Sequence, residues 1–233
     1  MFGKHGRRAR AAAASVAVCV SACAVLAACS PVKMGAAAIV GDQRITQSAL
    51  DTQVAGLQAA AEPYGKQITL TSAQMPAAVL SWLIRFQIGD QLAADSGIKL
   101  TQAQIQAGIA NINSQAAQAA TQGGLSSPQA ALVNAGISPQ MLPDLGKFQA
   151  QELAFAAKAN GGKLPTTQAE GNAVTAALDK AQCTAAKSLN IQVNPQFGRL
   201  DYQQFSVVAA PDTLSRPAGS PSPASTSGLT PAC

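Results

Sequence analysis

The sequence predicts a mainly α protein, a multi-helix domain closed by a small pairing of strands from its two ends. Three observations carry this prediction. Apolar residues recur at helical spacing through most of 46–189. Thr-initiated capping patterns stand at the heads of several of those runs. Short extended-type segments flank the helical stretch on both sides.

Taken in order, Ala36-Ala37-Ala38-Ile39-Val40 reads as a strand stopped by a tight turn at Gly41-Asp42, with Gln43-Arg44-Ile45 extended beyond it. Thr46 caps a helix through about Ala61, whose Leu50, Val54 and Leu57 give one buried face. Glu62-Pro63-Tyr64-Gly65 breaks it. Thr71-Ser72-Ala73-Gln74 is a capping box with Thr71 as N-cap, opening a long helix to about Ser96 that Gly97 ends. Val79, Leu80, Trp82, Leu83, Ile84, Phe86, Ile88 and Leu92 make that helix apolar on more than one face, as a central helix should be.

Thr101 to Gln104 is a second capping box, heading a helix to about Thr121 that Gly123-Gly124 stops. Ser127-Pro128 opens a short helix closed by Gly136, and Ser138-Pro139 opens another to about Asn160, each with Ser capping before Pro. Pro143 is placed to kink the latter near its start. Gly161 to Pro165 is a linker, and Thr167 to Glu170 is a third capping box, for a helix to about Leu189. Ile191-Gln192-Val193 and Phe205 to Val208 are strand candidates. Gly41 and Gly198 are read as turn glycines, and the strands near Ile39 and Val193 are expected to pair. Beyond Pro211 the composition is Pro, Ser, Thr, Gly and Ala, which predicts disorder. The domain plan is 1–28, 29–35 as a tether, 36–209 as the folded domain and 210–233 as the tail.

The first of these segments has its own chemistry. Lys4, Arg7, Arg8 and Arg10 precede an apolar run from Ala11 to Ala28, the plan of a secretory signal peptide. A membrane-spanning helix needs about 20 apolar residues, and this run is slightly short. Leu26-Ala27-Ala28-Cys29 resembles the lipobox of bacterial lipoproteins. The resemblance implies cleavage between Ala28 and Cys29, a lipid on Cys29, and a chain tethered to the membrane on its extracytoplasmic side. Arg7-Arg8 lacks the apolar residue that twin-arginine export expects soon after the pair, so export unfolded is the better reading.

Removing 1–28 changes the charge. Four of the 16 basic residues and none of the 11 acidic ones lie there, which leaves 12 against 11. No basic cluster remains to neutralise a run of phosphates, so nucleic acid is not an expected partner. The single histidine, His5, leaves as well. That removes Ser-His-Asp, Cys-His and imidazole metal sites, and neither cofactor nor metal is expected. The acidic residues are scattered singly, and an enzyme built on Asp90, Asp95 or Glu152 ranks last among the functional readings. Cys183 and Cys233 remain in an oxidising compartment; the sequence leaves open whether they bridge or stay as one buried and one terminal thiol.

Val40-Gly41-Asp42-Gln43-Arg44-Ile45-Thr46-Gln47-Ser48 resembles the start of the SurA/PrsA-type chaperone domain. So does Leu80 to Leu92 followed by Gly97-Ile98-Lys99-Leu100-Thr101. Val193-Asn194-Pro195-Gln196-Phe197-Gly198-Arg199-Leu200-Asp201 looks like the closing strand of secreted foldases. The resemblance covers most of 36–208 and implies a chaperone domain with no catalytic motif. It departs from full-length members at Gly161–Pro165, which is too short to hold the parvulin isomerase domain they commonly insert there.

The resemblance implies a lipid-anchored extracytoplasmic holdase for unfolded secreted polypeptides, without isomerase activity. A non-catalytic envelope adaptor with one specific protein partner is the alternative. Helices packed as an open cradle would leave an apolar surface for extended segments. Met75, Trp82, Phe86, Met141, Phe148 and Phe155 are the candidates to line it, although burial statistics favour a core role for any one of them. Tyr64, in a loop between helices, is the better candidate for exposure.

Overall fold

The structure, a computed structural model, describes residues 34–209 and Cys233. The expected signal segment, the Ala28–Cys29 cleavage and lipidation point, most of the tether and the tail 210–232 lie outside the described residues. Among the described residues no helix is long and apolar enough to cross a membrane.

Strands β1 (Ala36–Val40) and β2 (Gln43–Thr46) form an antiparallel hairpin, with Ile39 opposite Arg44 and Val40 opposite Gln43. Its turn residue Gly41 sits at φ +58°, a conformation that a side chain disfavours. The Gly41 N–H donates to the Leu189 carbonyl at 2.5 Å, which ties the turn to the far end of the chain. β3 (Gln192–Val193) completes the sheet in the order β2-β1-β3, pairing Ile39 with Gln192 and Ala38 with Val193. The two ends of the domain therefore meet as the sequence predicts. Ala36, Ala37, Ala38 and Val40 are all buried, and such small side chains let helices lie close against the strand.

The closing segment differs from the expected single strand across 193–201. The Asn194 side chain accepts from the Gln196 N–H at 3.1 Å, turning the chain after β3. Gly198 at φ +122° then leads into β4 (Arg199–Asp201). This strand pairs with β5 (Ser206–Val208) in a separate antiparallel hairpin, Leu200 opposite Val207.

Helix α1 (Gln47–Ala61) starts where Thr46 Oγ1 accepts the Ala49 N–H at 3.0 Å. A 3-10 segment, Glu62–Gln67, follows it. Helix α2 (Met75–Asp95) begins later than the Thr71 box predicts. Gln74 Oε1 does accept the Thr71 N–H at 3.0 Å, but the Thr71 hydroxyl donates to the same oxygen instead of accepting from the helix. Half of the reciprocal box is missing, so 71–74 form a turn and Pro76 opens the helix proper. The other end follows expectation: Ile98 N–H bonds to Ala93 O and Gly97 N–H to Ala94 O, with Gly97 at φ +62°.

Both bonds of the Thr101 box form at the head of α3 (Gln102–Gly123), and both bonds of the Thr167 box at the head of α6 (Gln168–Ser188). Ser127 caps α4 (Pro128–Asn134) by accepting the Ala130 N–H. Ser138 does not cap. Its hydroxyl is fully buried and donates to Gln53 Oε1 at 2.6 Å. The expected helix from 138 is instead a 3-10 turn, Pro139–Met141, followed by α5 (Leu142–Ala159). Pro143 has no N–H to bond back to the Pro139 carbonyl, so one α-helix cannot run through.

The core centres on α2, which contacts α1, α5, α6, β1 and β5. Leu80, Ile84, Ile88 and Leu92 are essentially sealed there, with Leu50 and Leu57 of α1. Full burial of each such side chain contributes roughly 1.5–3 kcal/mol. On the other side α3 packs closely on α5 at a glycine contact: a Cβ on Gly108 would strike the Gly146 carbonyl, and one on Gly146 would strike Ile109. The domain's periphery is thus positioned by backbone contact, and its centre by the all-round apolar character of α2.

Candidate functional site: an aromatic cavity between α2, α5 and α6

A cavity of about 290 Å³ opens where α2, α5, α6 and the tip of the β4–β5 hairpin converge. Trp82, Arg85 and Ile88 line it from α2, Leu145, Phe148, Gln149 and Glu152 from α5, Gln182 from α6 and Phe205 from the hairpin. The α2 and α5 residues recur every three or four positions, the spacing that puts side chains on one helix face. Two faces that would seal a core elsewhere diverge here, and the hairpin tip fills part of the gap.

Its walls are rigid for identifiable reasons. Trp82, Phe86 and Phe148 form a triangle of rings with centroids 6.0, 6.0 and 6.5 Å apart, the Trp82–Phe148 pair edge-on at 84°. Trp82 Nε1 donates to the Ala135 carbonyl at 2.8 Å, which fixes the indole. Gly89 makes room for the arrangement, since a Cβ there would collide with the Phe148 ring. The hairpin is held by Arg85, whose Nε donates to the Phe205 carbonyl at 3.2 Å and Nη2 to that of Gln204 at 2.5 Å. Ser81 adds a buried clasp, accepting the Val207 N–H at 2.7 Å. Phe205 is kept at φ +47°, uncommon for a bulky residue, by these bonds on either side of it.

Two charges face this apolar space. The Arg85 guanidinium lies 4.9 Å from the Trp82 ring centre. Burial lowers its proton affinity, which the field of Glu152 partly restores. Glu152 Oε1 accepts from Gln182 Nε2 at 2.9 Å. Burial pushes the Glu152 carboxyl above its ordinary value, against the opposing effects of the Gln182 hydrogen bond and the Arg85 charge. The arrangement offers apolar contact, one acceptor and one cation. It holds no nucleophile with an adjacent base.

A smaller cavity, about 120 Å³, lies on the other side of Phe148, bordered by Phe86, Asp90, Asp144, Lys147 and Gln151. Lys147 Nζ and Asp90 Oδ1 pair at 2.6 Å there, and Gln151 Nε2 donates to the same carboxylate oxygen at 2.7 Å. Gln151 Oε1 is buried there with no hydrogen-bond partner among the described residues.

The expected binding residues divide. Trp82 and Phe148 line the larger cavity, half-buried. Met75, Phe86 and Met141 do not offer a client surface: they are buried in the core at 5%, 7% and 1% exposure. Helix α2 is enclosed by α1, α5, α6 and strands, and the turn that carries Met141 packs on α1 and α5, so these side chains are covered. Phe155 is half-buried and packs on the core away from the cavity, and Tyr64 is half-buried in the 3-10 segment. The open cradle is corrected to a bounded cavity, because only Met34 and Leu164 are exposed large hydrophobics among the described residues.

The three carboxylates of the enzymatic reading are not gathered. Asp90 serves the smaller cavity, Asp95 accepts from Gln91 at the end of α2, and Glu152 faces the larger one. Among the described residues no group of three or more His, Cys, Asp or Glu is placed to hold a metal. Cys183 and Cys233 are joined in a disulfide with Cα atoms 5.3 Å apart, and Lys187 Nζ donates to the Cys233 carbonyl at 2.9 Å. The sequence reading missed Arg85, Gln182 and Phe205. A lone arginine inside Trp82-Leu83-Ile84-Arg85-Phe86 was the available signal, because an isolated charge in an apolar helix needs a partner.

The two ends of this helical domain are stitched by one sheet, and a side-chain-sized cavity lies beside its central helix. The family model of the SurA-like N-terminal domain matches residues 4–145, more than half the chain, and the chain belongs to that family. Comparisons with curated proteins and with solved structures found no match. The family match ends at Leu145. Trp82, Arg85 and Ile88 therefore fall within it, while Phe148, Glu152, Gln182 and Phe205 are supplied by the part of the chain beyond it.

Proposed function

We propose that this protein is a lipid-anchored extracytoplasmic holdase that binds unfolded or partly folded secreted polypeptides and has no prolyl isomerase activity. The observation that carries the reading is the aromatic cavity of α2, α5 and α6 in a chain of the SurA-like family. Holding a polypeptide requires apolar contact and a few backbone-directed polar groups, with no bond made or broken. The cavity supplies that chemistry. The lipobox-like Leu26-Ala27-Ala28-Cys29 supports anchoring through Cys29 at the outer face of the membrane.

The chain from Cys29 onwards, added to a chemically unfolded client, is expected to suppress light scattering near equimolar ratio while leaving prolyl isomerisation rates unchanged. Scattering unaffected at molar excess would overturn the holdase reading. Labelled palmitate incorporated by the wild type and not by Cys29→Ala is the expected result for the anchor.

The modest volume of the cavity favours one second reading, a non-catalytic envelope adaptor for a single partner. At about 290 Å³ it accepts few side chains at once. Crosslinking in cells that yields one stoichiometric partner, in place of many weak ones, would favour the adaptor.

A further inference from the structure

The cavity has a polarity that a general affinity for unfolded chains leaves unused. At about 290 Å³ it sits at the lower edge of ligand-pocket sizes and suits one large side chain. Aromatic and aliphatic side chains share its wall with Arg85, Gln149, Glu152 and Gln182. Its two charged groups differ in how fully they are engaged. Arg85 spends Nε and Nη2 on the hairpin carbonyls and lays its face near the Trp82 ring. Glu152 has Oε1 bonded to Gln182, whereas none of the described residues donates to its Oε2.

We propose that the cavity selects one side chain with an aromatic body and a neutral hydrogen-bond donor at its tip, a tyrosine or tryptophan of an extended polypeptide, whose donor closes on Glu152 Oε2. This rests on the polypeptide-binding reading above and names the side chain that the site prefers. Phenylalanine fills the same volume but displaces water from the carboxylate and leaves Oε2 without a donor, which is costly. Lysine or arginine can donate to Oε2 as well, but it must shed the water around its own charge, sits beside Arg85, and offers the rings no aromatic face. Aspartate or glutamate meets the Glu152 charge directly. A phenol O–H or indole N–H avoids all three penalties and forms a charge-assisted hydrogen bond. The half-buried rings of Trp82, Phe148 and Phe205 accept the aromatic body edge-on or offset, the geometries that aromatic pairs prefer.

The test uses the mature chain in detergent and three capped pentapeptides, identical except for Tyr, Phe or Lys at the centre. Trp82 is the single tryptophan of the chain, so its emission reports binding at the cavity wall. The Tyr peptide is expected to bind about tenfold more tightly than the Phe peptide, the difference of one hydrogen bond to a charged group. The Lys peptide should bind more weakly than both. Glu152→Leu should bind the Phe peptide and lose the Tyr preference, and Glu152→Gln, which keeps the shape should the Leu variant fail to fold, should narrow it. Equal or tighter binding of Phe by the wild type, or a preference that survives in either variant unchanged, overturns the proposal. Absence of peptide binding with client aggregation still suppressed removes the cavity specificity and leaves the holdase reading standing. Loss of both removes both.

Discussion

Gln182 Nε2 donates to Glu152 Oε1 at 2.9 Å, joining α6 to α5 at the floor of the aromatic cavity. The bond offers the carboxylate some compensation for its burial, and so does the nearby Arg85 charge. Neither restores its ordinary proton affinity, because the loss of hydration is the largest influence on it.

The consequence is a stability that depends on pH with a defined sign. The folded protein holds the Glu152 proton more tightly than the unfolded chain does. This group's contribution is therefore complete below the ordinary value of 4.5 and declines as pH rises through the elevated folded value. Glu152→Gln keeps an acceptor for Gln182 and removes the charge. Thermal unfolding followed from pH 4 upward should show the variant gaining on wild type as pH rises, and the two converging in acid.

Glu170 behaves in the opposite sense. Its carboxylate accepts the N–H groups of Thr166 and Thr167 at the head of α6, at 2.8 and 3.0 Å, and these bonds lower its proton affinity. Its contribution is present above 4.5 and lost as pH falls through the lower folded value. Glu170→Gln should therefore be less stable than wild type at neutral pH, where the contribution is present, and converge with it in acid, which flattens the acid end of the profile. Thr167→Ala, which removes the other half of the box, should cost about 1 kcal/mol at any pH in denaturant titration.

The glycine contact between α3 and α5 is a sharper structural test. A methyl group on Gly108 meets the Gly146 carbonyl, a backbone atom that cannot rotate away. Gly108→Ala raises helix propensity yet should destabilise by about 1–3 kcal/mol through overpacking. Gly171→Ala, at an α6 position where a methyl group meets nothing, serves as the control and should be neutral or stabilising.

The Cys183–Cys233 bond closes a ring with a sequence separation of 50 residues. Reduction, or Cys183→Ala, should lower unfolding free energy by about 2–4 kcal/mol in urea titration. Thiol counting under denaturing conditions, before and after reduction, should show two additional free thiols.

Local signals in the sequence reached far into this fold. The Thr101 and Thr167 boxes, the Ser127-Pro128 start and the Gly97 stop were legible because each is decided within four or five residues by hydrogen bonds to the nearest backbone. The pairing of Ile39 with Val193's strand was legible as well, from extended segments at both ends of a helical chain. Reading failed where a capping hydroxyl was taken by another side chain, distant in one case and local in the other. Ser138 gave its hydroxyl to Gln53, and the Thr71 hydroxyl turned to the Gln74 side chain, so neither capped a helix. For the site, Trp82 and Phe148 were named from residue type alone. Phe86, Met75 and Met141 were named on the same grounds and proved buried, because type does not say which face a neighbouring helix will cover.

The sequence by itself determined the helices, most of their ends, and the family to which their order belongs, since capping and periodicity act over short separations and cost little chain entropy to satisfy. Only the tertiary structure decided that Arg85 would reach 120 residues along the chain to hold the Phe205 carbonyl, and that Glu152 would face the same cavity. Such contacts are fixed by how whole helices pack, and the apolar faces that drive packing carry no address for the polar side chains brought together between them.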